Sequence, residues 1–415
     1  TAATPTRAST HRHHATVCDG KTDEREERPQ AIHRIDEYTT RGLQVAETVT
    51  LGSIANLKTG PFGTQFSASE YSATGTPILN VKSIGHGVVL RDDLDYVPDS
   101  VRDRLAAHTL VEGDIVFARK GSVDRHAYVS ANEAGWIQGS DCIRVQCKHG
   151  VNSRFISHWL KLDAVKEQVN NSAVGSTMAS LNTDILAGIH VRLPDPETQN
   201  AVAAFLSRVE DQVALNTQIN DNLQAVALSQ FMHQFFRKDP NGELSDVLIE
   251  LPKSQVQVRD AKDIAGRYPF FTSGASVLRW DKPLAGGRNL LLNTGGNADV
   301  KFYVGDMAYS TDTWAVTARD GLADYAYLLL QAISPELDQK YFLGTGLRHL
   351  QKPLLKKRPI YIPSVSELRA FNAVVVPAMT MISENLRENR RLQELRDWLL
   401  PMLMNGQATV ASSDK

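Results

Sequence analysis

Few residues in this chain stand in a pattern that catalysis could use. The segment Asn293-Thr294-Gly295-Gly296-Asn297 closes an apolar run, and its glycines could cradle a phosphate. It lacks the lysine and the following helix that a phosphate-binding loop requires. No GxSxG, HExxH or zinc-spaced Cys/His set occurs, nor the Asn/Asp-Pro-Pro-aromatic run of an adenine methyltransferase. His108, His126 and His349 stand apart from any nucleophile or paired carboxylate and suit surface or contact positions. Cys18, Cys142 and Cys147 form neither a CxxC pair nor a ligand cluster, which argues against a disulfide framework and a structural zinc site and fits a reducing cytosol. Such a chain reads as a recognition protein and not as a catalyst.

The elements that would position a recognition surface are more legible. The chain has 415 residues, 42% hydrophobic and 22% charged, enough for several domains with cores of their own. Its 45 basic and 47 acidic residues leave a formal charge of -2, so neither a wholly disordered chain nor a supercharged binder is expected. Apolar runs such as Tyr325 to Leu330 and Phe371 to Val376 fall far short of the ~20 residues of a membrane span. Residues 1–42, with His11, His13, His14 and the charged run Asp23 to Arg28, carry almost no apolar periodicity and read as a disordered arm without the apolar core of a signal peptide.

An internal repeat dominates the rest. Gly175 to Pro194 (GSTMASLNTDILAGIHVRLP) returns as Gly344 to Pro363 (GTGLRHLQKPLLKKRPIYIP) at an offset of 169. The same offset pairs Leu181 with Leu350, Leu186 with Leu355, Asn216 with Asn385 and Asn220 with Asn389. Upstream the match loosens: Gly113 to Gly121 (GDIVFARKG) resembles Gly287 to Gly295 (GRNLLLNTG), and Ser140-Asp141 echoes Thr311-Asp312. The chain is two copies of one unit, a globular α/β block followed by a long helix.

Asn200 to Phe236 contains no Pro or Gly, and a 4,3 spacing selects Val202, Leu206, Val209, Val213, Asn216, Asn220, Leu223 and Ala227 as a heptad seam. The second copy gives Phe371, Val375, Ala378, Ile382, Asn385, Asn389, Leu392 and Arg396, then Leu399 and Leu403. Run antiparallel, the two seams would bring their asparagine layers face to face, trading stability for register; on a merely amphipathic helix the same residues would meet solvent. Pro377 is expected to kink the second helix or to mark a late start. Helices of about 36–40 residues span roughly 54–60 Å and would hold the two blocks at opposite ends of a rod.

This arrangement resembles the specificity subunit of Type I restriction-modification systems. The resemblance rests on Val49 to Ala55 followed by Lys58-Thr59-Gly60-Pro61-Phe62-Gly63-Thr64, on Gly113-Asp114-Ile115-Val116, on the Gly175 to Leu181 pattern, and on Leu193-Pro194 with Glu197 and Gln199 opening the first helix. The second copy, ending Tyr361-Ile362-Pro363, departs from it: Arg288 replaces the aspartate of the Gly-Asp step, and the opening loop is unclear around Lys253 to Asp260. The likeness covers about residues 43–406.

The resemblance implies an α+β fold: a disordered arm (1–42), a first target recognition domain (43–195), a central helical region (196–239), a second target recognition domain (240–363), a distal helical region (364–406) and a tail (407–415). The two helices would form an antiparallel coiled coil relating the domains by a pseudo-two-fold repeat. It implies a non-catalytic DNA reader in the cytoplasm. Its partners would be duplex DNA, two methyltransferase subunits and, through the complex, restriction subunits. S-adenosylmethionine, ATP and Mg would sit on those partners and none on this chain. The helices would serve as ruler and docking surface, so inserting residues near Lys238 to Gly242 should lengthen the unread spacer.

The first block, counted from Glu47 to Asp195, carries 14 basic and 16 acidic residues, so phosphate contacts must come from local clusters such as Arg119, Lys120 and Arg125, or Lys352, Lys356, Lys357 and Arg358. The expected DNA-facing set is Thr64, Gln65, Lys82, Ser83, Arg119, Lys120, Ser122, Arg125, Ser176 and Thr177 in the first domain. In the second it is Thr272, Ser273, Arg279, Asn293, Thr294, Asn297 and Arg348. Asn216, Asn220, Asn385 and Asn389 are expected to set helix register. The base sequence read and the spacer length are not legible, because loop side chains and DNA deformability set them together. Two other readings remain: an enzyme, which S-adenosylmethionine binding by the isolated chain would revive, and a coiled-coil scaffold presenting two protein- or glycan-binding modules.

Overall fold

The computed structural model describes residues 46–410 except 176–178. The arm expected over 1–42, the last five residues of the tail, and Ser176 and Thr177 lie outside the described residues.

Two sheet-rich blocks share one topology. In the first, a four-stranded antiparallel sheet runs in the order Ala55–Thr59, Cys142–Cys147, Ile115–Ala118, His126–Tyr128. In the second the order is Leu248–Glu250, Thr313–Ala318, Arg288–Asn293, Val300–Val304. Each block adds a three-stranded sheet centred on Thr76–Leu79 or on Tyr268–Phe271, with one antiparallel and one parallel neighbour. Each is closed at its base by a short antiparallel pair, Glu47–Thr50 with His190–Leu193 and Gly242–Glu243 with Pro359–Ile360. The repeat read from sequence is therefore a repeat of fold.

The first long helix, Pro196–Gln234, starts at Asp195, whose carboxylate accepts the Glu197 and Thr198 amides at 3.0 Å each. The Thr198 hydroxyl and those amides hold that carboxyl below its usual range. The second, Val365–Met404, starts in a capping box between Ser364 and Glu367. It is already helical twelve residues before Pro377, so the late start expected there does not occur. The proline ring leaves the Ala373 carbonyl without its helical partner, and Ala373 is exposed, on the solvent side of the helix.

The helices pack antiparallel through the expected seam. Asn216 donates to Asn389 Oδ1 at 2.8 Å, and Asn385 donates to Asn220 Oδ1 at 2.8 Å. By length and composition alone part of the second helix could cross a membrane, with a mean hydropathy of 1.2 over its most apolar stretch. Here Phe371, Val375, Met379 and Ile382 instead fill the core of the second block.

Each core takes side chains from both helices. The first block is sealed by Val202, Ala203 and Leu206 with Leu400, Leu403 and Met404. The second is sealed by Ala227, Phe231 and Phe235 with Phe371 to Ile382. Neither block completes its apolar core without helices that lie far away in sequence. The departure at Arg288 also finds its reason. Its guanidinium holds Asp324 at 2.6 and 2.5 Å and reaches Thr380 Oγ1 at 2.9 Å, tying the second block to the second helix.

Candidate nucleic-acid interface

The same end of the four-stranded sheet gathers loops in both blocks. In the first, Arg119 N donates to Asp141 O at 2.8 Å, Gly121 N to Ala179 O at 3.0 Å, and Leu181 N to Arg119 O at 2.9 Å. In the second, Thr294 N donates to Asp312 O at 3.1 Å, Gly296 N to Arg348 O at 2.9 Å, and Leu350 N to Thr294 O at 3.0 Å. The two edges are one construction made twice. Gly60 joins the first edge, donating to Cys142 O at 2.9 Å, so the loop from Gly60 to Gln65 borders it too.

Several expected contact residues sit on these edges. Lys120 is exposed and pairs with Asp141 at 3.0 Å. Arg119 and Arg125 are half-buried, and the Nε of each is buried without a hydrogen-bond partner among the described residues. Ser122 and Gln65 are exposed; Thr64 lies in the turn Gly63–Gln65. In the second block Asn297 is exposed, and Thr294 holds Asp312 O with its hydroxyl at 2.9 Å. Ser273 is half-buried in the turn after Tyr268–Phe271.

The structure removes others from a reading surface. Ser83 is 1% exposed, at the end of the turn Val81–Ser83. Thr272 is buried and spends its hydroxyl on Ser276 O at 2.7 Å. Asn293 is buried and works as a clamp inside its own loop, donating to Gly295 O at 2.8 Å and accepting from Asp299 N at 2.9 Å. Arg279 turns inward, bonding Gly266 O at 2.9 Å and pairing with Glu394 of the second helix. Polar residues beside glycines look alike in sequence whether they face solvent or staple the turn, and only the fold separates these four from the exposed set.

Charge at the edges is partly spent internally. Arg348 grips Asp338 at 2.9 and 3.1 Å, and with the Ala298 amide holds that carboxyl below its usual range. Lys82 binds Asp93 and Asp95 at 2.9 and 2.8 Å. Of the second basic cluster, Lys356 pairs with Glu250 and Arg358 with Glu336, Lys352 lies 5.2 Å over the Trp314 ring, and Lys357 is exposed. Among the described residues no cluster of His, Cys, Asp and Glu is arranged to hold a metal.

This pair of sheet-rich blocks on an antiparallel helix rod is the architecture of a Type I specificity subunit. Residues 45–225 match the family described as Type I restriction modification DNA specificity domain. The specificity subunit of the MjaIX Type I restriction enzyme of Methanocaldococcus jannaschii is 22% identical over 306 residues, 63% of this chain and 71% of that one. The HindI specificity subunit of Haemophilus influenzae is 27% identical over a shorter stretch of 94 residues, 22% of this chain and 20% of that one. The crystal structure of a Type I S subunit from M. genitalium superposes with a TM-score of 0.60 at 14% identity, covering 88% of this chain and 97% of that one. Residues 45–225 thus carry the match to the Type I DNA specificity domain, and the chain as a whole is similar to Type I specificity subunits in sequence and fold.

Proposed function

We propose that this chain reads a bipartite DNA sequence, one half-site per block, and positions two methyltransferase subunits and, through them, restriction subunits on that site in the cytoplasm. S-adenosylmethionine, ATP and Mg belong on those partners and not on this chain. One observation carries the reading: two blocks of identical topology present the same loop edge and are held apart by a helix pair of 39 and 40 residues. At ~1.5 Å per residue that rod is nearly 60 Å long, against ~34–36 Å for one turn of duplex DNA. Arg119, Lys120, Arg125 and Asn297 supply side chains that suit phosphates and base edges. Methylation mapping of a genome with and without the gene tests this. A split motif that disappears with the gene supports it, and an unchanged methylation pattern refutes it.

The spacing between the blocks is set by both helices together. An insertion near Lys238 to Gly242 would not move the second block along the rod, because Arg288 and Arg387 also fasten that block to the second helix. It would instead break the bonds of Asn241 to Ile362 at 3.0 and 2.6 Å. The informative variant adds seven residues to both helices, after Asp211 and after Glu394. It preserves the heptad phase and lengthens the rod by ~10.5 Å, about three base-pair rises of ~3.4 Å. The expected result is a methylated motif with unchanged half-sites and a spacer about three base pairs longer.

A further inference from the structure

Beside the reading loop of the second block stands a small finger, and the first block has a backbone pairing at the matching place. In the second block Phe342–Leu343 pairs antiparallel with His349–Leu350 around Gly344 to Arg348, and Gly344 has φ +150°. In the first, Val174 and Ser180 exchange backbone hydrogen bonds of 3.0 and 2.9 Å, and Gly175 has φ +121°. The 169-residue offset lays this pair on the finger of the second block, Val174 on Leu343 and Ser180 on His349.

What this edge shows to solvent is apolar. Leu347 is 66% exposed, Val174 65% and Phe62 59%, the three most exposed large apolar side chains among the described residues of the two blocks. Exposed apolar residues scattered singly need no explanation, but these share one edge in each block. Leu347 precedes Arg348, which is locked on Asp338 and Asn297, so the finger is braced from behind. Phe62 follows Gly60, where a Cβ would stand 1.9 Å from the Gly139 carbonyl oxygen, so this loop is pressed against its neighbour up to the point where the ring emerges.

We propose that Leu347 in the second block and Phe62 in the first are wedges that press between base steps of duplex DNA and unstack them. Apolar side chains that enter a base stack kink the duplex and favour steps that unstack cheaply. The company on each edge favours DNA over a protein partner: Arg119, Lys120 and Arg125 stand on the loop that shares the edge with the first wedge, and exposed Asn297 and His349 stand on the edge of the second. The inference rests on the DNA reading above and adds specificity without a hydrogen bond to any base.

The test uses the chain assembled with its methyltransferase partners and a duplex bearing the mapped half-sites. 2-Aminopurine is placed at successive steps of each half-site away from the methylated adenine. On binding, fluorescence at one step per half-site should rise several-fold. Leu347→Ala should abolish the rise in the second half-site alone, Phe62→Ala in the first alone. Each variant should weaken specific binding roughly tenfold, the order expected on truncating one desolvated apolar side chain, with non-specific binding unchanged. Specific binding without any rise, or a rise that survives both substitutions, overturns the wedge and leaves the DNA reading standing. Failure of the assembled protein to select any duplex overturns both. Loss of methyltransferase association by Leu347→Ala in the absence of DNA would assign the finger to a protein contact and likewise overturn it.

Discussion

At the first block, Arg154, His158 and Lys161 gather on Glu210 of the first helix, with Lys161 Nζ at 2.5 Å and Arg154 at 3.4 Å, and Arg396 of the second helix closes in at 3.8 Å. Shifted by 169 residues, Arg154, His158, Lys161 and Glu210 become Ala323, Tyr327, Leu330 and Met379, and Arg396 maps back onto Ala227. All five counterparts lie in the apolar core of the second block. There Phe231, Phe235, Tyr325 and Phe371 pack edge to face or tilted, with centroids 5.2 to 6.3 Å apart. One fold is thus docked on its helices by half-buried charge at one end and by aromatic packing at the other. Apolar packing is forgiving of small errors, whereas a desolvated ionic cluster tolerates one geometry and fails if any member is removed.

The comparison breaks hardest at Glu210. Glu210→Met alone leaves Lys161, Arg154 and Arg396 without their shared carboxylate, and chemical denaturation should show a loss of about 3–5 kcal/mol. Adding Lys161→Leu to it recreates the pairing found in the second block and should recover a large part of that loss. A double variant no more stable than the single one would mean that the two ends are not interchangeable.

Acid should separate the blocks next. His126 and His158 are each 1% exposed. Burial, with the Lys161 charge, depresses His126 to about 3 and His158 well below its ordinary value. Such a group is neutral when folded and takes up a proton on unfolding. Its contribution is complete above about pH 6.5 and is lost as pH falls toward the folded value. For His126 alone the loss between pH 6.5 and pH 5 is about 2 kcal/mol. No buried histidine serves the second block among its described residues. Hydrogen exchange followed across that range should loosen the first block before the second, and simultaneous loosening would refute the assignment.

The smallest effect belongs to the asparagine layers that lie between the blocks. Asn216→Leu leaves the buried Asn389 Oδ1 without its donor, while Asn389 Nδ2 keeps Val213 O and Thr217 Oγ1, and should cost about 1–3 kcal/mol. Asn216→Leu with Asn389→Leu should restore stability while allowing the helices to pair out of register, seen by cross-linking of engineered cysteine pairs along the seam.

Much of this was legible without coordinates. The fixed offset, the 4,3 seam and its two asparagines are periodic signals that survive loop variation, because helix geometry repeats whatever the neighbours are. Loop side chains carry no such period. Asn293 and Asn297 stand four residues apart in one glycine-rich run, and only the fold buries the first and exposes the second. The finger pairing Leu343 with His349 spans too few residues to declare itself, though Gly175 and Gly344 at matched positions were its trace.

The sequence by itself determined the number of units, their order, and the face each helix buries, since these follow from local periodicity and from repetition. Tertiary structure alone decided which cations are spent on carboxylates of the same chain, which polar residues staple turns, and that neither core is complete without the far helix. Those outcomes depend on residues such as Glu210 and Arg396, 186 positions apart in the chain and 3.8 Å apart in space, a proximity no local pattern encodes.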